Sequence, residues 1–150
     1  MRVHIATDHA GFELKEKIVA DLREKGYDVV DHGAHVYDAL DDYPPMCIEC
    51  GKAVVADPGS LGIVLGGSGN GEQIAANKVP GVRAILAWNE STAELGRQHN
   101  DANVVSIGAR QHEPARAFEL VRTFLETPFS GGARHRRRIG LLAEYEAERG

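Results

Sequence analysis

The sequence predicts a three-layer α/β/α sandwich built on a five-stranded parallel sheet. Three features carry that prediction. Five short apolar runs recur along the chain, each followed by a longer stretch with helical spacing of its apolar residues. The central run, Leu61-Gly62-Ile63-Val64-Leu65, is almost wholly apolar, the pattern of a strand buried on both faces of a parallel sheet. The connections are long enough for right-handed helical crossovers.

Taken in order, Val3–Thr7 is the first strand and Asp8-His9-Ala10-Gly11 a polar turn at its carboxyl end. Leu14, Ile18 and Leu22 stand four residues apart on the next helix, which ends at Gly26, a good residue to follow a helix. Tyr27–Asp31 is the second strand. A long acidic loop follows from His32 to Pro45, carrying Asp38, Asp41, Asp42 and Tyr43, and loops of that length in compact domains are usually functional. A helix from about Pro45 to Ala56 leads through Asp57-Pro58-Gly59 into the central strand, and Gln73–Lys78 reads as the opening of the helix after it. Val82–Ala87 is the fourth strand. Asn89 caps a helix over Glu90–Gln98, Asn103–Ile107 is the fifth strand, and helices over Pro114–Leu125 and about 133–148 complete the chain.

Composition narrows the function. A chain of 150 residues suits a single domain with a sizeable core. A net charge of −5 and a pI near 5.8 argue against general nucleic-acid binding. No apolar run is long enough for a membrane span, and Met1–Ile5 passes straight into a strand without a signal-peptide core, so a cytoplasmic protein is expected. Cys47 and Cys50 are too few for a disulfide framework. Their C-x-x-C spacing has no second pair to complete a zinc site, and it falls inside a helix and not at a helix start. The seven histidines, His32 and His35 included, show no coherent ligand pattern, so no metal is expected.

The chemistry concentrates after the central strand. Gly66, Gly67, Gly69 and Gly71 surround Ser68 and Asn70 in a turn that opens a helix, and peptide N–H groups there, with the positive end of the helix dipole, make an anion site. Neither common phosphate fingerprint fits: Glu72 stands at the third glycine position of the dinucleotide pattern, and Glu72-Gln73 replaces the Lys-Ser/Thr of a P-loop. A carboxylate in an anion-binding turn is a candidate general base, or else a first-turn glutamate favoured by the dipole. Asp8 and His9, at the end of the first strand, form a catalytic or phosphate-contacting pair, or a helix-capping turn. His99-Asn100, in the loop before the fifth strand, offers acid/base chemistry near neutral pH, or a solvated loop histidine. Gly108-Ala109-Arg110 ends the fifth strand. In the basic run 134–138, Arg134 and Arg138 share one helix face, a clamp suited to a phosphomonoester dianion; a solvated face and a nucleic-acid patch are the other readings.

Together these residues resemble the type B ribose-5-phosphate isomerases, the family that also holds galactose-6-phosphate and allose-6-phosphate isomerases. The resemblance runs almost the whole length: Asp8-His9-Ala10-Gly11, Asp42-Tyr43-Pro44, Gly67-Ser68-Gly69-Asn70-Gly71 into Ile74-Ala75-Ala76-Asn77-Lys78, His99-Asn100 and Gly108-Ala109-Arg110. It implies a Rossmann-like sandwich and aldose–ketose isomerisation through a cis-enediolate. Many members carry a catalytic cysteine where this chain has Gly66; the subgroup it looks most like places a glutamate in the turn, here Glu72. By the same resemblance Glu72 is the base, His99 opens the sugar ring assisted by Asp8 or Tyr43, and Asn100 helps stabilise charge. His9, Arg110, Arg134 and Arg138 hold phosphate beside the loop Gly67, Ser68, Gly69, Asn70 and Gly71. No metal or organic cofactor is required, and a homodimer with shared sites is implied, the 133–148 helix packing on the partner. A six-carbon sugar-phosphate isomerase and a noncatalytic phosphate-binding module are the rival readings.

Overall fold

A computed structural model describes residues 1–149. Strand β1 (Arg2–Thr7) leads through a single 3-10 turn (His9–Gly11) into helix α1 (Phe12–Glu24) and strand β2 (Asp28–Asp31). Helix α2 (Tyr43–Ala56), strand β3 (Leu61–Gly66), helix α3 (Asn70–Asn77) and strand β4 (Ala84–Leu86) follow. Helix α4 (Glu90–Asn100), strand β5 (Val104–Gly108), helix α5 (Pro114–Glu126) and helix α6 (Ala133–Arg149) complete the chain. All five strands are parallel, in the order β2-β1-β3-β5-β4. The predicted three-layer α/β fold is the observed one.

Two apolar layers cover the sheet. On one face Ile5, Ile63, Leu65 and Ile107 pack under Ile18 and Leu22 of α1 and Leu120 and Phe124 of α5. On the other, Val64 and Val104 pack under Cys47, Cys50 and Val54 of α2 and Ala75 and Ala76 of α3. The two cysteines are therefore core residues; burial pushes the Cys50 thiol up to about 12 and raises Cys47 as well. Such thiols stay protonated and inert near neutral pH.

Strand order decides where a ligand can sit. The crossover from β1 runs to β2 on one side, and the crossover from β3 runs to β4 on the other. The direction in which strands are added across the sheet thus reverses between β1 and β3, and the crevice beyond their carboxyl ends is the standard ligand position in open parallel sheets. Asp8 and the 66–72 loop flank it.

Several boundaries differ from the sequence reading. Helix α2 starts at Tyr43 because Pro44 and Pro45 occupy its first turn, where a missing N–H costs nothing. Helix α3 starts at Asn70, so Glu72 is a first-turn residue and not part of the turn before it. Helix α4 runs on to Asn100, which places His99 and Asn100 in a last helical turn and not in a loop. Arg83 sustains that turn by donating from Nε to the Asn100 carbonyl and from an η nitrogen to the Asp101 carbonyl, both at 2.9 Å. Asp101 then turns the chain with a φ of 43°. β4 is correspondingly short, because Asn103 Oδ1 takes the Arg83 N–H at 2.7 Å before pairing with β5 begins at Ala84.

The loop after β2 is tied to the fold by a buried cation. Lys15 of α1 is fully buried; its Nζ donates to both Asp31 oxygens at 3.0 and 2.8 Å and to the Ala34 carbonyl at 2.6 Å. Removing one partner of such a pair leaves an uncompensated charge. Asp31 retains some solvent, which softens the loss. Lys15→Met is expected to destabilise the protein by about 3 kcal/mol in urea unfolding, and Lys15→Met/Asp31→Asn by distinctly less. Equal losses in the two variants would show that the pair does not carry the effect.

Candidate active site

The loop between β3 and α3 is built from its carbonyls. The Ala109 and Arg110 N–H groups donate to the Gly66 and Gly67 carbonyls at 2.7 and 3.0 Å, and Ser106 Oγ donates to the Gly69 carbonyl at 2.7 Å. With those oxygens turned toward the end of β5, the N–H groups of Gly67, Ser68 and Gly71 have no protein acceptor among the described residues. They are free for a ligand oxygen. Gly69 is required at the bend, where φ is 85° and a β-carbon would press on Leu86 and Ser106.

Glu72 closes this loop from inside. Its carboxylate lies against the Cα of Gly66, in the space a side chain at position 66 would fill. Glu72 is only 4% exposed. Burial raises its pKa above the ordinary glutamate value, nearby Asp8 adds to the shift, and the Gly69 and Glu72 N–H groups offset part of it. A carboxylate that keeps its proton more tightly in this way is a stronger base.

The rest of the crevice is assembled around that carboxylate. Asp8 is buried and spends one oxygen on the Ala10 N–H at 2.9 Å, so it caps the 3-10 turn and still faces Glu72. The Tyr43 ring lies over the Cα of Gly71, and the Arg110 guanidinium lies over the Cα of Gly67. His9 is held by Asp41, whose Oδ1 lies 2.8 Å from the ring Nδ1 and 3.0 Å from the His9 backbone nitrogen. Donor atoms of Asp8, His9 and Asp41 lie within 4.8 Å of one another, the one cluster among the described residues with the spacing of a metal site, although a hydrogen bond already occupies His9 Nδ1.

One chain therefore brings together Asp8, His9, Tyr43, the 67–71 loop, Glu72 and Arg110. It does not bring His99, Asn100, Arg134 or Arg138 to them. Arg83 immediately precedes β4 and holds Asn100, which places the end of α4 at the amino edge of the sheet. Glu72 sits at the carboxyl edge, a strand length of roughly 15–20 Å away. At the amino edge a second group forms: the His135 ring of α6 stacks on His99 with centroids 4.3 Å apart. His135 is buried, and burial, His99, Arg134 and Arg138 all lower its pKa. Arg134 and Arg138 are exposed and have no carboxylate partner among the described residues. A cleft of about 620 Å³ also opens at this edge, but its Arg83 and Arg97 already serve Asp101 and nearby carbonyls.

The sequence reading did not single out Asp41, which holds His9, or His135, which stacks on His99. Asp41 was visible only as one acid among several in the loop, and His135 only as an interruption in a basic run.

Known proteins share this fold. The family model for ribose/galactose isomerase matches residues 3–142. The chain belongs to the ribose/galactose isomerase family. Among members of that family, the ribose-5-phosphate isomerase B of Mycolicibacterium paratuberculosis is 58% identical over 97% of this chain and 92% of its own length. The ribose-5-phosphate isomerase B of Clostridium thermocellum superposes with a TM-score of 0.95 at 39% identity, covering 100% of both chains. The enzyme from Mycoplasma genitalium, solved with bound ribulose-5-phosphate, gives a TM-score of 0.93 at 41% identity over 98% of this chain and 97% of its own. The family's Rossmann-like α/β sheet is thus present here in full.

Proposed function

We propose that the protein interconverts ribose 5-phosphate and ribulose 5-phosphate, with Glu72 moving the proton. The observation that carries the mechanism is the buried Glu72 carboxylate beside a loop of unpaired N–H donors, with the Arg110 guanidinium over that loop at Gly67. In this reading His99 passes a proton at the ring oxygen to open the furanose, and Asp8 or Tyr43 assists. Glu72 then removes the C2 proton of the aldose. The electron pair forms the C1–C2 double bond and places negative charge on O1, which the N–H groups of Gly67, Ser68 and Gly71 stabilise. Glu72 returns its proton to C1, and the O2 proton passes to O1 as the ketone forms at C2. His9, Arg110, Arg134 and Arg138 grip the phosphate, so binding energy remote from the reacting carbons orients them.

Because His99, Asn100, Arg134 and Arg138 stand at the opposite edge of the sheet from Glu72, the reading requires a homodimer in which each site draws on both chains. Exposed apolar residues on α6, Leu141, Leu142 and Tyr145, and Ile74 on α3 support an interface there. Among the described residues no helix is long and apolar enough to cross a membrane.

The test is NMR of the protein with ribose 5-phosphate in D₂O. Ribulose 5-phosphate is expected to form with solvent deuterium at C1. Conversion of allose 6-phosphate alone would move the assignment to a six-carbon substrate, and binding without exchange would replace the enzyme reading with a phosphate-binding module.

A further inference from the structure

The acidic loop between β2 and α2 reaches the site through Asp41. Its side chain is 15% exposed, and its Oδ1 accepts from the His9 backbone N–H at 3.0 Å and lies 2.8 Å from His9 Nδ1. One oxygen thus fixes both the turn that carries His9 and the rotation of its ring. With Nδ1 donating to Asp41, Nε2 is the ring nitrogen left for a ligand. The other carboxylate oxygen, Oδ2, is buried and has no protein partner. Tyr37 meets the imidazole edge-on, with ring centroids 6.4 Å apart.

We infer that Asp41 is a positioning residue for phosphate: it holds the His9 ring so that Nε2 donates to the phosphomonoester. This deepens the proposed function and rests on its reading of His9 as a phosphate ligand. A ring that donates from Nδ1 to Asp41 and from Nε2 to phosphate is the charged imidazolium, set between two anions that both favour that form and make each hydrogen bond charge-assisted. Asp41 takes no part in the proton transfer at C1 and C2, so its removal should weaken binding and spare turnover.

The experiment compares Asp41→Asn, Asp41→Ala, His9→Ala and Asp41→Asn/His9→Ala in steady-state kinetics with ribose 5-phosphate, and measures inhibition by inorganic phosphate. Asp41→Asn keeps the side chain's shape while removing its charge, so it carries the test if Asp41→Ala does not fold. Asp41→Asn is expected to raise KM about 10-fold, the loss of one charge-assisted hydrogen bond, with kcat changed less than about twofold. The inhibition constant for inorganic phosphate should rise by the same factor. The double variant should show no higher KM than His9→Ala alone, because both changes remove one unit. A raised KM for His9→Ala beside an unchanged one for Asp41→Asn would overturn the inference and leave the His9 reading standing. A KM increase for Asp41→Asn without a change in phosphate inhibition would overturn it too, since Asp41 would then grip the sugar directly. An unchanged KM for His9→Ala would remove the phosphate reading, and the inference with it.

Discussion

Glu72→Gln is expected to lower kcat by about 10³-fold while leaving KM for ribose 5-phosphate within a factor of about three. Glutamine matches the shape of glutamate and can remain against Gly66, but it has no lone pair basic enough to take a carbon-bound proton. The proposed phosphate contacts lie on other residues, so binding is expected to survive. In D₂O the variant should neither form ketose nor exchange the C2 proton of the aldose. Turnover within tenfold of the parent would exclude Glu72 as the base. The pH profile supplies a second check. Burial and Asp8 raise the Glu72 pKa, so falling pH protonates the base, and stops the enzyme, at a pH above the ordinary glutamate value of about 4.3. Asp8→Asn removes the repelling charge, and the acid limb of kcat should move to lower pH. An acid limb that stays in place would assign it to another group.

Mixing two inactive variants should restore activity. On the proposed mechanism Glu72→Gln lacks the base and His99→Ala lacks the ring-opening group, so each would form a homodimer with two dead sites. In a mixed dimer one site pairs the intact Glu72 of one chain with the intact His99 of the other, and the second site lacks both. Random assortment makes half of the dimers mixed, with one good site in two, so co-refolded protein should reach about a quarter of parental activity. No recovery, with mixed dimers shown to form, would place both residues' work within one chain. The sheet geometry argues for recovery: Arg83 ties the His99 turn to the amino edge, opposite Glu72.

The fold was legible because its signals are local. Apolar runs, helical spacing and turn residues each concern a few neighbours in sequence, and the glycine turn with Glu72 is a contiguous stretch. The same locality made the 67–71 loop and Glu72 readable as one site. Strand order was not legible, because nothing near β4 in sequence says that β5 will insert between it and β3. The extension of α4 to Asn100 was hidden for a related reason: His and Asn favour helix poorly, and the turn is sustained by Arg83 from a distant segment. Asp41 lies 32 residues from His9, and only the folded loop brings the two together.

The meeting of Glu72 with Gly66 also bears on descent. A side chain at position 66 and a carboxylate at position 72 compete for one small volume. The resemblance places a cysteine at position 66 in other members of the family. An ancestor passing between the two arrangements by single substitutions would have met either a crowded site with both groups or an empty one with neither. On the proposed mechanism the glycine before the loop is therefore as much a part of the choice of base as the glutamate, and the two positions are expected to have changed together.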